Sequence, residues 1–359
     1  MQGYGPVCRG FVVTTLLLVL IATMMPVMAF AEGISSPPQP SQGPGGADYP
    51  FAEVVISRVG ELPSGAWVFA PEGMSGSERS RAPVVLFLHG FGASGPALYR
   101  GWITHLARRG NIVIYPDYQP AGFLVPDQSA FEANMLAGLR QGLDEAQLAP
   151  AAIHVVGHSL GGVLGVAYLA ASPNVGLPPA RSLTVVAPGG CRTCGTTSGF
   201  GVPLPENLQP PGNLLVNVVV GSDDALVGDG DALAIWSLLD DVPTGQKRLI
   251  EVRTDRYGSP DLIADHLFPQ GESMGGGVDA LDWYGLWRPL DGLIACSETG
   301  TMCDIALGTE ESDLFMGHWS DGTQVMLPVP VSEPLSDQYD RHVAHFLMAR
   351  ACVDPVGEG

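Results

Sequence analysis

The sequence predicts an α/β architecture: a mostly parallel sheet of about eight strands, covered by helices on both faces. Three observations predict it. From Phe51 onward, short β-branched apolar runs alternate with stretches of helical spacing. The central runs are predominantly apolar, as strands buried on both faces are. The sharpest turn in the chain, Gly157-His158-Ser159-Leu160-Gly161, falls between one such run and a small-residue helical stretch.

The elements follow in order. Residues 1–31 read as an export signal, with Arg9, an apolar run from Phe11 to Met25, and Ala29-Phe30-Ala31 as a small-x-small cleavage site. The apolar run is short for a membrane span and is followed by Pro26, so stable membrane insertion after cleavage is not expected. Localisation is therefore expected to be secreted or periplasmic. Residues 32–50 form a Pro/Gly/Ser-rich leader, expected to be flexible or polyproline-like because it offers little apolar surface. Residues 51–359 form the folded domain, with a C-terminal extension after about residue 270.

Two early runs, Val54 to Val59 and Ala66 to Phe69, lie close enough to pair as an antiparallel edge. The core strands are Val84 to Leu88, Ile112 to Tyr115, Ile153 to Val156, Leu183 to Val186, Leu214 to Val220 and Arg248 to Val252. Helical spacing marks Leu98 to Arg109, Gln128 to Leu148, Leu160 to Ala171 and Gly230 to Leu239. Later helical stretches run near Val278 to Ala295 and Asp337 to Ala349. The interval between Val186 and Leu214 is too short for a bulky cap domain, leaving room only for a lid loop, Gly189 to Pro211.

Composition narrows the function. At 359 residues and 46% hydrophobic content the chain can bury a large core. A formal charge of −20 repels phosphate backbones and anionic surfaces, which argues against nucleic-acid binding. The acidic residues are scattered, so the charge serves solubility. Of six cysteines, Cys8 precedes the apolar run, leaving Cys191, Cys194, Cys296, Cys303 and Cys352 for an oxidising compartment. Local pairs Cys191 with Cys194 and Cys296 with Cys303 would leave Cys352 free, although sequence does not fix connectivity. Cys191-Arg-Thr-Cys194 is followed by Gly195-Thr196-Thr197-Ser198-Gly199, where a redox motif would open a helix. No motif calls for a metal or a cofactor. Oligomeric state is not legible.

Gly-x-Ser-x-Gly alone is a weak signal, but its setting is specific. A strand, Ile153 to Val156, leads into the turn and a small-residue helix, Val163 to Ala171, leads out, which is the geometry of a nucleophile elbow at Ser159. A tight turn without chemistry is the alternative. Glycines two positions either side of the serine relieve the crowding of adjoining strand and helix.

Gly157 to Gly162 together with His89-Gly90-Phe91-Gly92 resembles the lipase and carboxylesterase branch of the α/β-hydrolase family over the region from Phe51 to His266. The resemblance implies the α/β-hydrolase fold and cleavage of carboxylic esters through an acyl-enzyme on Ser159. It implies an oxyanion hole made by the backbone N–H groups of Phe91 and Leu160. It places the acid in Gly221-Ser222-Asp223-Asp224-Ala225-Leu226-Val227, with Asp224 in the family position and Asp223 as the alternative.

The base must follow the acid in this chain order. His266, just past the last strand, leads on position, and His318 in Gly317-His318-Trp319 is the alternative. His342 and His345 sit within a helical pattern and read as packing or surface residues. The expected substrate is a small-molecule or polymeric ester. Phe91, Trp283, Tyr284 and Trp287 could wall an apolar pocket or belong to the core. Two rival functions are an exported acyltransferase with the same triad and a non-catalytic binding protein that kept the fold.

Overall fold

The computed structural model describes residues 33–122, 125, 127–194, 200–271 and 277–331. The export segment, Cys8, Cys352, His342, His345 and the stretch Asp337 to Ala349 lie outside the described residues. From Ile34 onward the described chain belongs to one compact unit.

The apolar runs become strands β1 (Val54–Val59), β2 (Ala66–Pro71), β3 (Val84–Leu88), β4 (Ile112–Pro116), β5 (Ile153–His158), β6 (Ala180–Val186), β7 (Leu215–Gly221), β8 (Lys247–Val252) and β9 (Val329–Pro330). They form one nine-stranded sheet in the order β1-β2-β4-β3-β5-β6-β7-β8-β9. Strands β4, β3, β5, β6, β7 and β8 run parallel. Strands β1, β2 and β9 run antiparallel at the two sides.

The helices of interest are α1 (Arg100–Arg108), α2 (Phe131–Ala146), α3 (Leu160–Val175), α4 (Gly230–Leu238) and α5 (Arg288–Thr299). Strand alternation divides the core between the two faces. Leu86, Ile114, Val155, Leu183 and Val218 pack with Leu139 of α2, Leu164 of α3 and Ile235 of α4. The intervening residues Val85, Phe87, Val113, Val156 and Ile250 pack on the other face with Trp102 of α1 and Leu290 of α5. Each such side chain taken from water contributes on the order of 2 kcal/mol, which explains why the strands carry apolar residues on both sides. The stretch expected near Val278 to Ala295 opens with a π-helical turn, Leu281–Trp287. It becomes α-helical around Pro289, which has no N–H to extend the preceding ladder.

The leader does not behave as its composition suggests. Gly45 N–H donates to the buried carboxylate of Asp291 at 2.8 Å. Tyr49 Oη lies 3.0 Å from His105 Nδ1, and Asp48 pairs with Arg109 at 2.7 Å. Tyr284 donates to the Pro38 carbonyl at 3.2 Å, and Ser259 N–H donates to the Ile34 carbonyl at 2.8 Å. Residues 34–49 thus form a strap held by backbone and side-chain polar groups, which a count of apolar side chains does not detect. Gly45 is required at its site, because a Cβ would run into the Trp283 carbonyl.

Disulfides join Cys191 to Cys194 and Cys296 to Cys303. Among the described residues no helix is long and apolar enough to cross a membrane. The described residues between β6 and β7 form no helix.

Candidate functional site

Four loops leave the carboxyl ends of β3, β5, β7 and β8 and converge, as loops at this edge of a parallel sheet do. The loop after β5 carries Ser159 at φ 56° and ψ −123°, a left-handed backbone that costs on the order of 2 kcal/mol in a non-glycine residue. It persists because its surroundings leave no room to relax. A Cβ on Gly157 would strike the Gly161 backbone, and a Cβ on Gly161 would strike the Leu88 carbonyl. Ser159 N–H donates to the Val186 carbonyl at 3.0 Å, tying the elbow to β6.

The loop after β8 delivers His266, whose Nε2 lies 2.9 Å from Ser159 Oγ. Its Nδ1 lies 2.8 Å from Asp224 Oδ2. An ionised carboxylate only accepts, so Nδ1 carries the proton and Nε2 presents a lone pair to the serine hydroxyl. The second oxygen, Asp224 Oδ1, accepts from the Leu226 and Val227 amides at 3.0 Å each. Acid and base loops are stitched together where Asp223 N–H donates to the Ala264 carbonyl at 3.0 Å. Ser159, Asp224 and His266 are all buried, at 8%, 2% and 7% exposure.

The loop after β3 lies directly on the nucleophile. A Cβ built on Gly90 would approach Ser159 Cβ to 3.3 Å. Leu160 is the first residue of α3, where amides have no partner within the helix and the dipole is positive. The expected donors Phe91 and Leu160 each directly follow one of these residues, Gly90 and Ser159. Gly92 N–H donates to Gln119 Oε1 at 3.1 Å, and Tyr118 donates to the His89 carbonyl, so the turn after β4 buttresses this loop. His89 itself stacks on Tyr118 at 3.9 Å, and burial holds its pKa down at about 3.

Ser, Asp and His follow one another in the chain after β5, β7 and β8, with the serine in a strained strand-to-helix turn. The sheet order, with its antiparallel second strand and crossed third and fourth, completes the pattern. The fold is the α/β-hydrolase fold.

Comparison of the chain with family models and with curated proteins returns no match. Solved structures similar to it include carboxyl esterase 2 from the mycorrhizal fungus Tuber melanosporum, 19% identical, with 67% of this chain and 87% of that chain covered and a TM-score of 0.42. Another is the HSL homolog EstE7 from a metagenome library, 20% identical, covering 69% and 88%, with a TM-score of 0.46. A third is an esterase/lipase from an uncultured bacterium, 18% identical, covering 72% and 87%, with a TM-score of 0.43.

The alternatives open in the sequence fall elsewhere in the structure. Asp223 pairs with exposed Arg256 at 2.7 Å. His318 is exposed, with its ring 5.2 Å from Phe315. Trp287 stacks on His105 in the core at 4.5 Å, and Trp283 and Tyr284 pack against the same cluster, so these three do not wall the site. Phe91 meets Phe200 edge to face at 4.9 Å, a partner that the sequence did not point to. Cys191, Cys194 and Asp231 lie within 4.8 Å of one another, but the two sulfurs are joined as a disulfide and offer no thiolates to a metal.

Proposed function

We propose that the protein is a serine hydrolase that cleaves carboxylic esters through an acyl-enzyme on Ser159. The observation that carries this reading is the continuous hydrogen-bonded chain from Asp224 through His266 to Ser159 Oγ. His266 Nε2 takes the hydroxyl proton as Oγ attacks the ester carbonyl. The Phe91 and Leu160 amides receive the oxyanion, and removing such a donor typically costs about 3 kcal/mol of barrier. The imidazolium, stabilised by Asp224, gives its proton to the departing alkoxide. Water then repeats the sequence on the acyl carbonyl, and the acid leaves with Ser159 restored.

The Phe91 and Phe200 pair favours an uncharged, apolar acyl group, and the absence of a helical cap among the described residues between β6 and β7 favours an open cleft. An ester of a polymer fits such a cleft. The export segment and the two disulfides favour action outside the cytoplasm. The test is hydrolysis of p-nitrophenyl butyrate by the wild type and by Ser159→Ala. Loss of turnover in the variant is expected, and full turnover would refute the reading. Addition of alcohol separates hydrolysis from transfer to an acceptor: a hydrolase goes on releasing free acid.

A further inference from the structure

One buried, titratable side chain at the site takes no part in the acyl-transfer steps. His158 is 1% exposed and stands between the nucleophile and the base loop. Its Nε2 lies 2.9 Å from the backbone carbonyl of His266, and its Nδ1 lies 2.7 Å from Tyr99 Oη. Tyr99, fully buried, also receives the Gly90 N–H at 2.9 Å and the Gln270 carboxamide at 3.4 Å.

Every proton in this cluster has a fixed direction. A carbonyl only accepts, so His158 Nε2 carries hydrogen, and Nδ1 of the neutral ring is then an acceptor. Tyr99 must donate its O–H to that nitrogen, which leaves its oxygen free to accept from the Gly90 amide and the Gln270 side chain. The network has no spare donor and no spare acceptor at these atoms, the condition under which buried polar groups rigidify their surroundings. It joins the oxyanion loop at Gly90, the elbow at His158, and the base loop at His266 and Gln270. The hold on the base is close to the reacting atoms, since it grips the backbone of the residue whose ring contacts Ser159. Burial, together with the positive charge that forms on His266, pushes the His158 pKa well below its ordinary value, which keeps the ring in this neutral arrangement.

We infer that Tyr99 and His158 are a positioning pair for the catalytic base, fixing the His266 backbone relative to Ser159 and to the oxyanion loop. This rests on the proposed ester hydrolase reading. Displacement of a reacting group by a fraction of an ångström is felt in turnover and not in ground-state binding of a small ester. Tyr99→Phe removes one oxygen without altering the packed ring. His158→Gln keeps an N–H for the His266 carbonyl, and His158→Leu removes both contacts.

The experiment measures kcat and KM on p-nitrophenyl butyrate for wild type, Ser159→Ala, Tyr99→Phe, His158→Gln, His158→Leu and the Tyr99→Phe/His158→Leu double variant. Expected are a kcat about tenfold lower for Tyr99→Phe with KM within about twofold, and a larger loss for His158→Leu that His158→Gln partly restores. The double variant should be no worse than His158→Leu alone, because both changes open the same network. An unchanged kcat in folded Tyr99→Phe, or losses that multiply in the double variant, would overturn the pair while leaving the hydrolase reading intact. An inactive wild type, or an active Ser159→Ala, would overturn the hydrolase reading and the pair with it.

Discussion

Replacing Asp224 by Asn changes one atom and, by the geometry of the site, reverses a proton. Asp224 Oδ1 accepts two backbone amides, from Leu226 and Val227, at 3.0 Å. Those donors hold the carbonyl oxygen of an asparagine in the same place, which turns its NH₂ toward His266 Nδ1. A donor now faces Nδ1, so the ring must present a lone pair there and carry its hydrogen on Nε2. Nε2–H points at Ser159 Oγ across 2.9 Å and cannot take the hydroxyl proton. The wrong tautomer in a triad of this kind lowers turnover on the order of 10⁴-fold, or about 5.5 kcal/mol of barrier. Stability should change by about 1 kcal/mol or less, because both amides keep their acceptor. Asp223→Asn is the control: its partner Arg256 is 58% exposed, and loss of such a pair costs about 0–1 kcal/mol. The assay is kcat/KM on p-nitrophenyl butyrate beside a urea unfolding curve for each protein. An Asp224→Asn enzyme within about tenfold of wild type, or an equal loss from Asp223→Asn, would refute the reasoning.

Three further outcomes are expected. Gly161→Ala drives a Cβ into the Leu88 carbonyl, so unfolding free energy should fall by about 3 kcal/mol or the chain should fail to fold; a neutral melting curve would contradict the packing of the elbow. His89 and His158 are buried with pKa values held at about 3 and well below 6.5, so below pH 6.5 the unfolded chain binds protons that the native chain refuses. The contribution of these histidines to stability therefore falls as pH falls, by up to ~1.4 kcal/mol per pH unit for His89, with His158 acting in the same direction. Urea midpoints with the same acid dependence in wild type and in His89→Gln would exclude this. His318→Ala should leave kcat/KM within about twofold, since the exposed ring contacts Phe315 rather than the serine; a loss beyond about a hundredfold would restore it as the base.

The sequence disclosed what continuous pattern can disclose. Val84 to Leu88 is legible as a strand because both of its faces are buried and the run is unbroken, and Arg248 to Val252 because apolar residues dominate it. Ser159 was legible because strain at a strand-to-helix turn imposes glycines on its neighbours. Asp224 is legible from the family resemblance and His266 from chain order, but only their meeting in space separates them from Asp223 and His318. The ninth strand, Val329–Pro330, is too short to carry a period and exists through its pairing with β8. The strap from residue 34 was missed because its partners Asp291, Tyr284 and Ser320 stand more than two hundred residues away and bond mostly to backbone. The link of Tyr99 to His158 spans 59 residues and leaves no local trace, since a buried tyrosine and a buried histidine fit any apolar run.

The central claim is a covalent acyl-Ser159, and the most direct measurement is the trapped enzyme itself. Wild type quenched within the first turnover of a p-nitrophenyl ester should carry the acyl mass on the peptide containing Ser159, with a burst of nitrophenolate equal to the enzyme present. Ser159→Ala should show neither. An acyl mass on any other residue, or ester cleavage with no burst and no adduct, would contradict the account.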